Sequence, residues 1–167
     1  MDRYNERLID AKCGMGSILA LSFSIALTVA SLALVVLSPP LGVLLLAAGI
    51  ALIFFTKDGL RIEYEFIITN GDIEIAKILS KKRRKAIGMI EASSINRMAR
   101  ADDERVANDI SIGKYKVREF LGKKPGEHVA AIFTGEGDNQ KIFLLDLDEK
   151  CVDHLNQVLK TKSEYKL

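Results

Sequence analysis

Residues 15–56 read MGSILALSFSIALTVASLALVVLSPPLGVLLLAAGIALIFFT, and this stretch contains no charged residue. The rest of the chain is rich in charge, because Asp, Glu, Lys and Arg make up 28% of the 167 residues. Ser38-Pro39-Pro40 divides the stretch into an apolar run over 15–37 and a second over 39–56. Proline can start a helix but cannot continue one, so the pattern predicts two helices joined by a tight turn.

The first run is long enough to cross a membrane. A helix over 15–37 would span about 34 Å, and the hydrocarbon core of a bilayer is about 30 Å thick. The second run reaches the required length when Lys57 extends its ammonium group to the interface. We therefore predict a transmembrane hairpin over 15–57. A buried hairpin in a soluble protein is the alternative, although an uncharged stretch of this length would be an unusual core for so small a chain.

The charges that flank the hairpin predict its orientation. Arg3, Arg7 and Lys12 precede the first run, Lys57 and Arg61 follow the second, and the connecting turn carries no charge. The positive-inside rule places such basic flanks in the cytoplasm. A cleaved signal peptide is disfavoured, because a second apolar run follows the first. We expect a multi-pass protein of the cell (plasma) membrane with both termini in the cytoplasm.

Small residues recur at four-residue spacing within both runs. Ser22, Ala26 and Ala30 do so in the first run, and Ala47 and Ala51 in the second. Small side chains let helix backbones approach closely in lipid. We expect these residues to pack the two helices against each other, with oligomerisation through the same face as the alternative.

The remainder of the chain predicts one cytoplasmic α+β domain over 58–167, preceded by a separate N-terminal cytoplasmic segment over 1–14. Its first strand alternates polar and apolar residues and ends at Asn70-Gly71, a strong signal for a hairpin turn. An amphipathic helix with Asp148 as its N-cap closes the chain, and its apolar face includes Cys151 and Leu155. The domain is expected to be an antiparallel barrel or sandwich of about six or seven strands, with a loop or a short exposed helix over 101–109. The strands are predicted at 60–69, 72–79, 86–91, 95–99, 110–117, 129–134 and 141–147.

Three segments carry a resemblance to a known family: EYEF at 63–66, TNGDIEI at 69–75 and SKKRRK at 80–85. They resemble an uncharacterised family of small bacterial membrane proteins in which a transmembrane hairpin is followed by a bacterial pleckstrin-homology (PH)-like domain. The resemblance covers most of the chain, including the hairpin. It implies a PH-like fold and a location at the membrane, and it implies no activity.

Five consecutive cations form the clearest candidate for a site: Lys81, Lys82, Arg83, Arg84 and Lys85. The first strand leaves the membrane after the hairpin and the second strand returns, so this basic turn is expected near the bilayer surface. There it would contact anionic lipid headgroups. The alternative is an ordinary solvated turn. The loop that binds inositol phosphates in other PH domains, between the first two strands, is short and acidic here.

No motif indicates an enzyme, a metal site or a cofactor. His128 is predicted at a strand start and His154 on the polar side of the last helix, while Cys13 and Cys151 lack the spacing of a zinc site. The net charge is only +2, and no aromatic residues interleave the basic run, which disfavours nucleic-acid binding. No small-molecule substrate is inferred.

The expected function is therefore a membrane-anchored, non-enzymatic interaction module. Its PH-like domain would recruit or scaffold partners at the cytoplasmic face of the membrane. The alternative is a sensor of anionic lipid headgroups that acts through the basic turn 81–85. The expected partners are membrane lipid and either a protein partner or a second copy of the chain.

Overall fold

The structure, a computed structural model, describes residues 4–165 apart from the side chain of Asp138. These residues form two compact units. The helical unit contains 12–62 and 79–83, and the sheet unit contains the residues up to 11, together with 63–78 and those from 84 onward. Arg3 of the predicted basic flank lies outside the described residues.

The helical unit is a two-helix hairpin. Helix α1 runs over Met15–Leu37 and helix α2 over Pro39–Thr56, followed by a 3-10 turn over Lys57–Leu60. These bounds match the two helices predicted from the apolar runs. The spans Met15–Leu37 and Pro39–Leu60 are long and apolar enough to cross a membrane, with mean hydropathies of 2.4 and 2.1, and this indicates membrane association.

The contact between the helices uses small and hydroxyl-bearing residues. Ser24 and Ser31 of α1 are buried, as are Gly42 and Gly49 of α2. A Cβ at Gly49 would collide with the hydroxyl of Thr28, so only glycine allows this close approach. The hydroxyls donate to backbone carbonyls of α1 itself, which satisfies them without water.

The residues predicted to pack the helices lie elsewhere on the hairpin. All five are exposed: Ser22, Ala26, Ala30, Ala47 and Ala51. The expected contact is corrected to the face that carries Gly42 and Gly49. Glycine permits a closer approach of two backbones than alanine does, so the two helices pack through the face that carries the glycines.

The first sheet of the fold contains four strands in the order β1-β2-β3-β4. Its strands are β1 Tyr4–Asp10, β2 Ile62–Thr69, β3 Asp72–Leu79 and β4 Arg83–Ile90. Strand β1 pairs antiparallel with β2. The segment 1–14, predicted to be separate, therefore supplies a strand of the domain, and the hairpin is inserted between β1 and β2. Strand β1 could not be recognised from the sequence, because a strand with one buried residue, Ile9, has no clear alternating apolar pattern.

The second sheet has the order β5-β7-β8-β6. Its strands are β5 Ile95–Arg100, β6 Lys116–Phe120, β7 His128–Thr134 and β8 Lys141–Leu147. The strand predicted at 110–117 is corrected. Helix α3, Glu104–Ser111, occupies its first part, and its Val106 and Ile110 pack in a second apolar cluster with residues of β5, β7 and β8. The following strand β6 is parallel to β8, so the sheets are not wholly antiparallel.

The main core contains residues from strands of both sheets and from helix α4, Glu149–Leu159. The α+β, PH-like class is confirmed. The described residues form eight strands, where six or seven were predicted, and of the two predicted arrangements, a barrel or a sandwich, they form two sheets that do not close into a barrel. Asp148 caps α4 as predicted, because its carboxylate accepts a hydrogen bond of 2.9 Å from the backbone N–H of Cys151. His154, predicted on the polar side, is buried and lies 3.1 Å from the amide nitrogen of Asn5.

Candidate functional site: the basic turn and strand β4

The basic turn between β3 and β4 has an unusual backbone. Ser80 and Lys81 adopt φ angles of 50° and 58°, and the N–H of Lys82 donates to the carbonyl of Leu79 at 3.0 Å. Two central residues with positive φ are typical of a type I′ turn, which Asn and Gly usually occupy. For serine and lysine this conformation costs about 1–2 kcal/mol per residue. The turn therefore needs support from outside its own sequence.

Ser80 receives that support from the segment directly after α2. Its backbone N–H donates to the carbonyl of Arg61 at 2.8 Å, and its hydroxyl donates to the carbonyl of Asp58 at 3.3 Å. All of these residues belong to the helical unit. The tip of the basic turn is thus attached to the last residues of the hairpin.

A cavity of about 390 Å³ lies between the turn and this segment. Among the described residues, no carboxylate forms a salt bridge with its three cations, Lys57, Arg61 and Lys82. The ammonium group of Lys57 lies 3.7 Å from the centre of the Phe54 ring, at the end of α2. The cavity therefore combines excess positive charge with the end of an apolar helix; its lining consists of Lys57, Asp58, Leu60, Arg61, Ser80 and Lys82.

The basic turn predicted over 81–85 is corrected, because only Lys81 and Lys82 lie in the turn, whereas the other three cations belong to strand β4. Arg84 forms ion pairs with Glu65 of β2 and, at 3.1 Å, with Glu74 of β3. The hydrogen bond to Glu65 raises the pKa of the Arg84 guanidinium. Arg84 thus links strand β4 to β2 and β3, although its side chain is exposed like those of Lys81, Lys82, Arg83 and Lys85.

Sequence reasoning missed Lys57 and Arg61 as partners of the basic turn. Both were interpreted as flanking charges that set the orientation of the hairpin, and Lys57 also as a residue that reaches the membrane interface. The available signal was their position, because the first strand begins where the second helix ends. A returning second strand brings its far end back beside that point.

Strand β4 is a second candidate surface. Each residue from Arg83 to Met89 is exposed, including the apolar side chains of Ile87 (36%) and Met89 (63%). Within the described residues, β4 pairs with β3 and with no strand on its other side. Edge strands present open backbone N–H and C=O groups that can pair with another chain.

The loop before β7 is organised by a buried carboxylate. Asp146 accepts hydrogen bonds from the backbone N–H groups of Gly122 at 3.3 Å and Gly126 at 3.2 Å. A Cβ at either glycine would crowd the carboxylate oxygens. These hydrogen bonds hold the Gly122–Gly126 stretch close to the carboxylate, which gives Asp146 a structural role.

The described residues offer no arrangement suited to metal binding, since no group of three or more His, Cys, Asp or Glu is placed to hold an ion. Cys151 is fully buried, and this burial raises the pKa of its thiol to about 12. A thiol in this state is neither a good nucleophile nor a good metal ligand.

Two open sheets closed by a C-terminal helix define a domain of the PH-like class. Residues 1–164 match the family described as "Bacterial PH-like domain (DUF6106)", and the chain belongs to this family. The match includes β1 and the hairpin as well as the strands that follow. No curated protein and no solved structure matches the chain. PH-like domains are generally non-catalytic interaction modules.

Proposed function

We propose that this chain is a membrane-anchored, non-enzymatic interaction module. In this proposal the hairpin spans the cell membrane twice and both termini lie in the cytoplasm. The PH-like domain then recruits or scaffolds a protein partner at the cytoplasmic face.

The pairing of β1 with β2 is the observation that carries the proposal. Asp10 at the end of β1 is the register partner of Glu63 in β2, and residues 11–62 connect them. Neighbouring positions of one sheet cannot lie on opposite sides of a layer about 30 Å thick. The connecting segment must therefore cross a membrane an even number of times, and its two apolar helices supply two crossings.

The charge pattern supports the orientation. Basic residues flank the hairpin on both sides, as Arg7 and Lys12 before α1 and Lys57 and Arg61 after α2. The turn at Ser38 carries no charge. Basic flanks remain on the cytoplasmic side.

Strand β4 supports the binding of a partner. Its exposed edge can accept an extended segment as a further strand, and the side chains of Ile87 and Met89 offer apolar contact. The neighbouring cations favour an acidic segment in that place. This mode of recognition needs no catalytic group.

Site-specific photocrosslinking in cells tests the proposal. A photoreactive residue at Ile87 should give a discrete protein adduct in the membrane fraction, and Gly88→Pro should abolish it by disturbing β4. The matched control is Ile112, an apolar residue after α3 that is 67% exposed. The same adducts from Ile87 and Ile112 would contradict recognition through β4.

A second candidate function is the sensing of anionic lipid through the basic turn. The two hydrogen bonds of Ser80 to the segment after α2 favour it, because they hold Lys81 and Lys82 beside the end of the hairpin. Each cation near an anionic surface contributes about 1 kcal/mol to binding.

A further inference from the structure

We infer that the cavity between the basic turn and the end of the hairpin binds the phosphate group of an anionic phospholipid. The site extends beyond the five cations of the basic run, because Lys57 and Arg61 contribute from the connector. This inference rests on the proposed membrane anchoring, and it names the ligand for the second candidate function, the sensing of anionic lipid.

The charges of the cavity call for an anion. Lys57, Arg61 and Lys82 line it together with one carboxylate, that of Asp58. A guanidinium can bind two phosphate oxygens at once, and the ammonium groups add charge-assisted hydrogen bonds. A volume of about 390 Å³ lies within the range of about 300–1,000 Å³ that is typical of small-molecule sites.

The position of the cavity selects a lipid rather than a free phosphate. Lys57 directly follows α2, and its ammonium group lies over the ring of Phe54 within the last turns of that helix. A phospholipid with its acyl chains along α2 would carry its phosphate to the level of this lysine. The apolar side chain of Leu60 also lines the cavity and suits the glycerol part of the headgroup.

The cavity is built into the fold rather than formed by loose side chains. The hydrogen bond from the Ser80 N–H to the Arg61 carbonyl fixes the turn against the connector at 2.8 Å. Two residues with positive φ then aim the chain of Lys82 back toward the cavity that it lines. These hydrogen bonds hold the backbone segments that carry the cations close together before the ligand binds, which lowers the entropy lost on binding.

Native mass spectrometry of the full chain tests the inference. The protein is purified in micelles that contain equimolar phosphatidylglycerol and phosphatidylcholine, and the retained lipids are counted. We expect the wild type to retain phosphatidylglycerol preferentially. The triple variant Lys57→Gln, Arg61→Gln, Lys82→Gln should lose this preference, by about fivefold for each cation removed.

A matched control removes the same charge elsewhere. Lys116, Arg118 and Lys124 are exposed residues of the sheet unit, and their change to glutamine should leave the preference intact. Equal retention of phosphatidylglycerol by the triple variant and the control would overturn the site. Displacement of the lipid by an equal concentration of glycerol phosphate would also overturn it, because the cavity would then bind the free anion.

Cell fractionation separates this test from that of the anchoring. A wild type found in the soluble fraction would overturn both the anchoring and the site. A triple variant that remains in the membrane fraction but loses phosphatidylglycerol supports both. A triple variant that remains there and keeps the lipid overturns the site alone.

Discussion

Asp10 and Glu63 are register partners in the antiparallel pair β1–β2, although the whole helical hairpin separates them along the chain. The hairpin is therefore an insertion within one sheet rather than an anchor added before a complete domain. This arrangement ties both ends of the hairpin segment to one place in the fold.

Replacing residues 12–61 by Asn-Gly should yield a soluble, folded domain. Ala11 and Ile62 would then flank a two-residue hairpin turn in the existing register. A fragment of residues 58–167 lacks β1, which leaves the edge of β2 open and removes buried Ile9 from the core. Circular dichroism and size-exclusion chromatography should show a folded monomer for the first protein and aggregation for the second. Equal behaviour of the two would contradict the role of β1.

The contact within the hairpin should depend on Gly49 and not on Ala51. A valine at position 49 would collide with Thr28, while residue 51 is exposed. We expect Gly49→Val to destabilise the hairpin by about 1–3 kcal/mol, as overpacking usually does. Ala51→Val should stay within about 0.5 kcal/mol of the wild type. Unfolding by SDS in mixed micelles measures both, and a larger effect at Ala51 would restore the predicted alanine face.

Cys151 should resist thiol reagents in the folded protein. Burial raises the pKa of its thiol to about 12, so the reactive thiolate is scarce at neutral pH. Mass spectrometry after maleimide treatment at pH 8 should find Cys151 unmodified until a denaturant is added. Rapid modification without denaturant would mean that α4 does not cover the core as described.

Helix α3 should lose its N-terminal cap as the pH falls. Hydrogen bonds from Arg105 lower the pKa of the Asp103 carboxyl from 3.8 to about 2. A carboxyl whose pKa is lower in the folded state stabilises it above its unfolded pKa. That contribution is full above about pH 4 and disappears as the pH approaches 2.

The control for this pH dependence is Asp103→Asn, which keeps a capping oxygen at every pH. Hydrogen exchange should show the backbone amides of α3 more strongly protected in the wild type than in Asp103→Ala near neutral pH. Near pH 2 the protection should be equal in the two proteins. The Asn variant should show no such loss. A difference between wild type and Ala variant that persists at pH 2 would contradict the assigned cap.

The sequence predicted the elements with strong local signals and missed those created by long-range pairing. The bounds of α1 and α2, the Asn70-Gly71 turn and the cap at Asp148 follow from local patterns. Strand β1 has almost no apolar pattern and becomes a strand because β2 pairs with it. Val106 and Ile110 belong to a helical face, which a period-two interpretation of 110–117 could not show.

The candidate site was predicted in part for the same reason. Five adjacent cations are visible in the sequence, but the ion pairs of Arg84 with Glu65 and Glu74 depend on the neighbouring strands. Lys57 and Arg61 join Lys82 only because Ser80 binds the connector. Such hydrogen bonds between distant segments leave no local pattern.

The most direct test of the account is the accessibility of two single cysteines in intact cells. In a chain with Cys13 and Cys151 changed to serine, Ser38→Cys places a thiol in the turn of the hairpin and Lys114→Cys places one in the PH-like domain. A membrane-impermeant maleimide should label position 38 in intact cells and position 114 only after permeabilisation. Labelling of position 114 in intact cells, or of both positions only after permeabilisation, would contradict a hairpin that crosses the membrane and returns to a cytoplasmic domain.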